Sequence, residues 1–100
     1  MENSFGETIR KLREDQNLLM RELSAKLEID VSLLSKIETN NRFARKELVE
    51  KLAKVFKVDY KELLTIWFSD KIVNELKGVD NIDEILKIVE QKIKKWERIN

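Results

Sequence analysis

MRELSAKLEIDVSLLSKIETNNR, Met20 to Arg42, is the stretch that decides the fold. Its apolar residues fall at helical spacing in two short segments joined by a tight turn. Met20, Leu23, Ala25 and Leu27 mark the first, which ends near Glu28. Asp30 is a good N-cap for the second, and Leu34 and Ile37 carry its inward face at i, i+3 spacing. Ala25, Ile29 and Ile37 are small or branched where two such helices must cross closely.

The same period continues on both sides. Upstream, Ile9, Leu12 and Gln16 follow one face, and Ser4-x-x-Glu7 forms a capping box that opens a first helix. Downstream, Leu48, Leu52, Val55 and Phe56 repeat at i, i+4, i+7, i+8. Asp59-x-x-Glu62 reads as a second capping box, opening a fifth helix with Leu63, Leu64 and Trp67 inside. Ser69 or Asp70 can then start a short helix through Ile72, Val73 and Leu76, closed by Gly78. Asn81-x-x-Glu84 caps a longer one, striped with Ile82, Ile85, Leu86, Val89, Ile93 and Trp96. With no Pro and two Gly, the usual punctuation of strands and hairpins is missing. The expected fold is all-α: a five-helix body over 1–68 and a C-terminal two-helix extension over 69–100.

Composition removes most catalytic options. The 100 residues include no Cys and no His. Disulfides, thiolate nucleophiles and Cys-based zinc sites are therefore excluded, and so are the usual neutral-pH base and the commonest metal ligand. Asp and Glu are plentiful but fall on caps and exposed faces, so no catalytic residue, metal site or cofactor is expected. The longest charge-free run, Leu63 to Ser69, has seven residues, against roughly 18–20 for a membrane span. The first residues lack a signal-peptide pattern, so the expected location is the cytoplasm. Net charge is +1, but residues 31–61 carry eight basic and four acidic side chains, while residues 1–30 carry five and seven. One basic segment in a near-neutral chain suits local contact with a polyanion.

Two short helices in such close succession have the spacing of a helix-turn-helix. FGETIRKLRED, MRELSAKLEIDVSLLSKIETNNR and ELVEKLAKVFKVDYKELL together resemble the lambda-repressor-like, or Xre, family of helix-turn-helix regulators, over residues 5–66. WFSDKIVNEL and the long helix after it are similar to the subset of these regulators found beside restriction–modification methyltransferases.

The resemblance implies that the second helix of the motif enters the major groove of double-stranded DNA, with Val31, Ser32, Ser35 and Lys36 facing base edges. Lys36 can donate to guanine, the serines can hydrogen-bond to several bases, and Val31 can pack on a thymine methyl. Phosphate contacts are expected from Arg21, Thr39, Asn40, Asn41, Arg42, Arg45 and Lys46. Arg13 and Glu38 occupy the places of a structural ion pair in the family. The sequence departs from the family at the first helix of the motif, where Leu19-Met20 replaces Ser-Gln and passes the phosphate contact to Arg21. It departs again at three turns, where Glu28, Asn40 and Lys57 stand at Gly positions. A non-Gly residue with positive φ costs roughly 1 kcal/mol or more there, least for Asn.

The tail is expected to make a homodimer, because one helix-turn-helix reads too few base pairs to be selective. Trp67, Phe68, Ile82, Ile85, Leu86, Val89, Ile93 and Trp96 are the expected interface; folding back onto the body is the competing use of the same stripe. The function implied is a sequence-specific dimeric transcriptional regulator on an inverted repeat, acting with or against RNA polymerase, in the setting of a restriction–modification operon. Two alternatives remain open from the sequence. One is an antitoxin that represses its own operon and binds a toxin through the tail. The other is a protein-interaction module that has lost sequence-specific DNA binding, as the Met20 and Glu28 departures suggest.

Overall fold

The computed structural model describes residues 3–99, which form α1 (Phe5–Asp15), α2 (Met20–Leu27), α3 (Val31–Glu38), α4 (Lys46–Phe56), α5 (Tyr60–Glu75) and α6 (Ile82–Ile99). Helices α1 to α5 enclose one core. Ile9, Leu23, Leu27, Leu34, Val49 and Leu52 are completely buried at its centre, and each contributes about 1.5–3 kcal/mol by leaving water.

Tight connections between these helices share one device. After α1, α2, α3 and α4 the chain passes through a left-handed residue, respectively Asn17, Glu28, Asn40 and Lys57, with φ of 56°, 58°, 63° and 57°. In each case the next N–H returns five residues: Leu18 to Arg13 O, Ile29 to Ser24 O, Asn41 to Lys36 O and Val58 to Ala53 O, at 2.8–3.1 Å. This is the Schellman ending, in which an apolar side chain after the left-handed residue packs back on the helix. Leu18, Ile29 and Val58 do so, all packed against the core. The bonds hold the backbone in a region that Gly would enter without strain.

The start of α1 is satisfied by three side chains from three places. Ser4 Oγ accepts from Glu7 N while Glu7 accepts from Ser4 N, the reciprocal capping box. Asn40 Oδ1, from the loop after α3, accepts from Gly6 N at 3.2 Å. Asp70 Oδ2, from α5, accepts from Phe5 N at 2.8 Å. A carboxylate here also complements the positive end of the helix.

That use of Asp70 corrects an expectation. No separate helix starts at Ser69 or Asp70: α5 is continuous through both and ends at Glu75. Ser69 Oγ donates back to Thr65 O at 2.6 Å, and Asp70 reaches across to α1, so neither terminates or opens a helix. The extension therefore holds one separate helix, α6. Two caps also differ in detail. Asp59 accepts from Lys61 N without a reciprocal bond from Glu62. Asp30 occupies the N-cap of α3 but makes no cap bond, accepting instead from Ser32 Oγ at 3.0 Å. At the α2–α3 crossing the buried small residue is Ser24, 3% exposed; Ala25 lies on the exposed side.

Helix α6 stands apart, with none of its residues buried. It gives the chain a radius of gyration of 15.9 Å, against about 13 Å for a compact chain of this length.

Candidate nucleic-acid interface

Helix α3 divides cleanly. Leu34, Ile37 and Glu38 face inward and are buried, while Val31, Ser32 and Lys36 are exposed and Ser35 is half-buried. Val31 is 43% exposed, so the fully buried Leu34 and Ile37 supply the packing without it. The outward face thus presents one methyl-bearing, two hydroxyl and one ammonium side chain within two turns.

Glu38 would oppose any anion at the end of this helix, but it is neutralised internally. Arg13 Nε and Nη2 donate to its two carboxylate oxygens at 2.8 and 3.0 Å, and Nη1 donates to Leu18 O at 3.0 Å. The Glu38 side chain is 1% exposed and that of Arg13 12%. The bond to Glu38 holds the Arg13 guanidinium above its already high ordinary pKa.

The loop beyond α3 is basic and open. Arg42, Arg45 and Lys46 are exposed and enter no ion pair among the described residues. Thr39 Oγ1 donates to Ser35 O at 2.9 Å and accepts from Asn41 Nδ2 at 2.9 Å, which orders the first turn of the loop. Ala44 anchors it, buried, with its carbonyl accepting from Trp67 Nε1 at 2.8 Å. Helix α4 follows with Arg45 at its N-cap and no side-chain cap bond. The N-termini of α2 and α3 likewise lack a side-chain cap to their second or third N–H. Uncapped N–H groups beside exposed cations are the chemistry that takes up phosphate oxygens.

Two expected site residues are used otherwise. The Asn40 side chain is committed to α1, donating from Nδ2 to Ser4 Oγ at 2.8 Å and accepting from Gly6 N, so it positions the loop rather than offering an amide to phosphate. Trp67 is 4% exposed; it is a core residue holding the loop through Ala44, which removes it from any surface between copies. Phe68, its neighbour, is 43% exposed, as are Leu86, Val89, Ile93 and Trp96 at 42–64%, while Ile82 and Ile85 are half-buried. Arg21 lies exposed on α2.

Two residues escaped the sequence reading. Phe43, 45% exposed, sits between Arg42 and Arg45; an aromatic inside a basic loop was the available signal. Gly6 is the other. A Cβ there would stand 2.9 Å from Glu38 O and in collision with Ile37 O, so α1 meets the end of α3 backbone to backbone. A Gly inside an otherwise regular helix was its signal.

The helix-turn-helix family profile matches residues 9–63. The chain belongs to the lambda-repressor-like helix-turn-helix family of DNA-binding transcriptional regulators. Among solved structures, the regulator resembles SinR, described as a master regulator for biofilm formation and crystallised with DNA, at 30% identity and a TM-score of 0.55 over 60% of this chain and 97% of that one. A hypothetical protein from E. coli matches with a TM-score of 0.63 at 22% identity, over 87% and 99% of the two chains. The SinR–SinI complex matches with a TM-score of 0.56 at 24% identity, over 91% and 97%. The last two likenesses concern the fold. No curated protein matches the regulator. Among the described residues no helix is long and apolar enough to cross a membrane, and no three His, Cys, Asp or Glu side chains gather as a metal site.

Proposed function

We propose that this regulator is a non-enzymatic, cytoplasmic protein that reads a specific DNA sequence through the N-terminal half of α3. The observation that carries the reading is the exposed set Val31, Ser32 and Lys36 on the outer face of α3, continuous with an exposed basic loop. Ser35, half-buried, completes the base-facing set. Arg21, Thr39, Asn41, Arg42, Arg45 and Lys46 hold the backbone, fixing register without reading sequence. SinR, crystallised with DNA, supports the same use of the shared fold.

The regulator acts as a homodimer on an inverted repeat, with half-sites about 34 Å apart. Its body runs through the end of α5, Asp70 included, and its assembly element is α6. Phe68 and the α6 stripe of Leu86, Val89 and Ile93, all more than two-fifths exposed, form the contact surface; exposed apolar patches of this kind mark association sites. Bound at its own promoter, such a dimer blocks or recruits RNA polymerase, and a restriction–modification operon is the setting the tail sequence suggests.

Footprinting on DNA upstream of the gene, with wild type and Lys36→Ala, is the deciding test. A protected inverted repeat is expected, with discrimination at one base pair relaxed by ~1–3 kcal/mol in the variant. Equal losses on specific and random DNA refute base reading by Lys36. Sedimentation at micromolar concentration tests the dimer, and a monomer unaffected by Ile93→Asp refutes it. The exposed stripe also favours a second reading, an antitoxin whose tail takes a toxin; a heterocomplex that replaces the homodimer distinguishes it.

A further inference from the structure

A cleft of about 260 Å³ opens between the start of α1, the loop after α3 and the end of α5, with Arg42, Asp70, Asn74 and Lys77 in its walls. Its polar groups are unequally engaged. The one acid, Asp70, is held by Phe5 N–H, and Asn40 is spent on Ser4 and Gly6. Arg42 and Lys77 are exposed and enter no ion pair among the described residues. Two cations against one committed carboxylate leave the cleft net positive. Its volume is several times the roughly 30 Å³ of a water molecule, enough for a phosphate group with part of its hydration.

Position adds to charge. Arg42 belongs to the loop that carries the proposed phosphate contacts, so the opposite wall extends that track onto α5. Lys77 lies just past α5, where Gly78 turns the chain with φ 79° and nothing lies within 4 Å of the place a Cβ would occupy.

We infer that Lys77 is a DNA-positioning residue, gripping a backbone phosphate of its own at the mouth of this cleft, beside the one that Arg42 holds. The assignment rests on the DNA-binding reading above. It lies outside the helix-turn-helix itself and gives the segment after α5 a role in affinity.

The test measures binding of wild type, Lys77→Gln and Lys94→Gln to a mixed-sequence DNA duplex from 50 to 200 mM salt. Lys94→Gln removes the same charge from exposed α6. One phosphate contact adds about −0.9 to the slope of log affinity against log salt. The wild-type advantage over Lys77→Gln is therefore expected to shrink about 3.5-fold across that range, with Lys94→Gln parallel to wild type. If Lys77→Gln runs parallel to wild type while wild type keeps a steep slope, the assignment fails and DNA binding stands. If wild type shows no salt-dependent binding, the DNA reading fails and takes the assignment with it. Inorganic phosphate is the competing occupant: amide shifts at Arg42 and Lys77 on millimolar phosphate, with an unchanged DNA slope, overturn the backbone assignment.

Discussion

Replacing Arg13 by Met should destabilise the protein far more than replacing both members of its ion pair. Arg13→Met deletes two charge-assisted bonds to Glu38 and one to Leu18 O. It leaves a carboxylate whose side chain is 1% exposed with neither counter-ion nor water. Breaking a buried pair in this way costs about 3–5 kcal/mol, a large share of the roughly 5–15 kcal/mol that holds a domain together. For a chain of this size the melting temperature should fall by at least about 12 °C. Arg13→Met/Glu38→Met removes the charge along with its partner, and apolar replacement of a buried pair is often neutral or better. The double variant should therefore recover most of the loss. Urea unfolding followed by circular dichroism at 222 nm measures both, with parallel slopes confirming that only stability changed. A loss below about 1 kcal/mol for Arg13→Met, or a double variant no more stable than the single one, refutes the account of this pair as a buried and mutually dependent charge.

Three further outcomes are expected. Gly6→Ala gains about 1 kcal/mol of helix propensity but drives a methyl into Ile37 O and Glu38 O. Overpacking of about 1–3 kcal/mol should prevail, lowering the melting point and displacing the Asn40 turn in amide spectra. Glu28→Gly releases a left-handed residue that costs about 1–2 kcal/mol, against a smaller loss from a looser unfolded chain. Thermal melting should show a gain of roughly half to one kcal/mol, and a decrease would sink the strain argument. Acceptance of Ser4 N–H and Oγ–H holds the Glu7 carboxyl below its ordinary value of 4.5. Its contribution to stability is therefore present above the unfolded pKa and disappears as pH falls through the lower folded one. Ser4→Ala removes the hydroxyl and keeps the backbone N–H that contributes most, so in an NMR titration the Glu7 carboxyl should move only part of the way back up.

Local chemistry was readable from the residues, and long-range chemistry much less so. Helix faces followed from periodicity, and the α1 capping box from Ser4 and Glu7, because both depend on neighbours within a turn. The same logic misplaced Ser69 and Asp70: the side chains that open helices also bond back one turn or cap a helix 65 residues away. Trp67 shows the corresponding ambiguity for aromatics. Its size suits an interface or a core, and the Ala44 carbonyl that decides between them is 23 residues distant. Asn40 was legible as a left-handed residue but not as the anchor of α1, since its partners lie 34 and 36 positions upstream. The left-handed Asn17 went unread, although a polar residue followed by an apolar one marks three of the four Schellman endings. The pairing of Arg13 with Glu38 came from family resemblance, as nothing in their spacing joins them.

The bond from Phe5 N–H to Asp70 has a bearing on how the chain is made. Synthesis proceeds from the N-terminus, and domains generally close as they emerge. Here α1 waits for one of its three N-terminal partners until residue 70 exists. A nascent chain, or a fragment cut at residue 68, carries α1 with that N–H still open to water. Completion of the DNA-reading body is thereby tied to the second half of α5, and fragments meant to isolate it need to extend past Asp70.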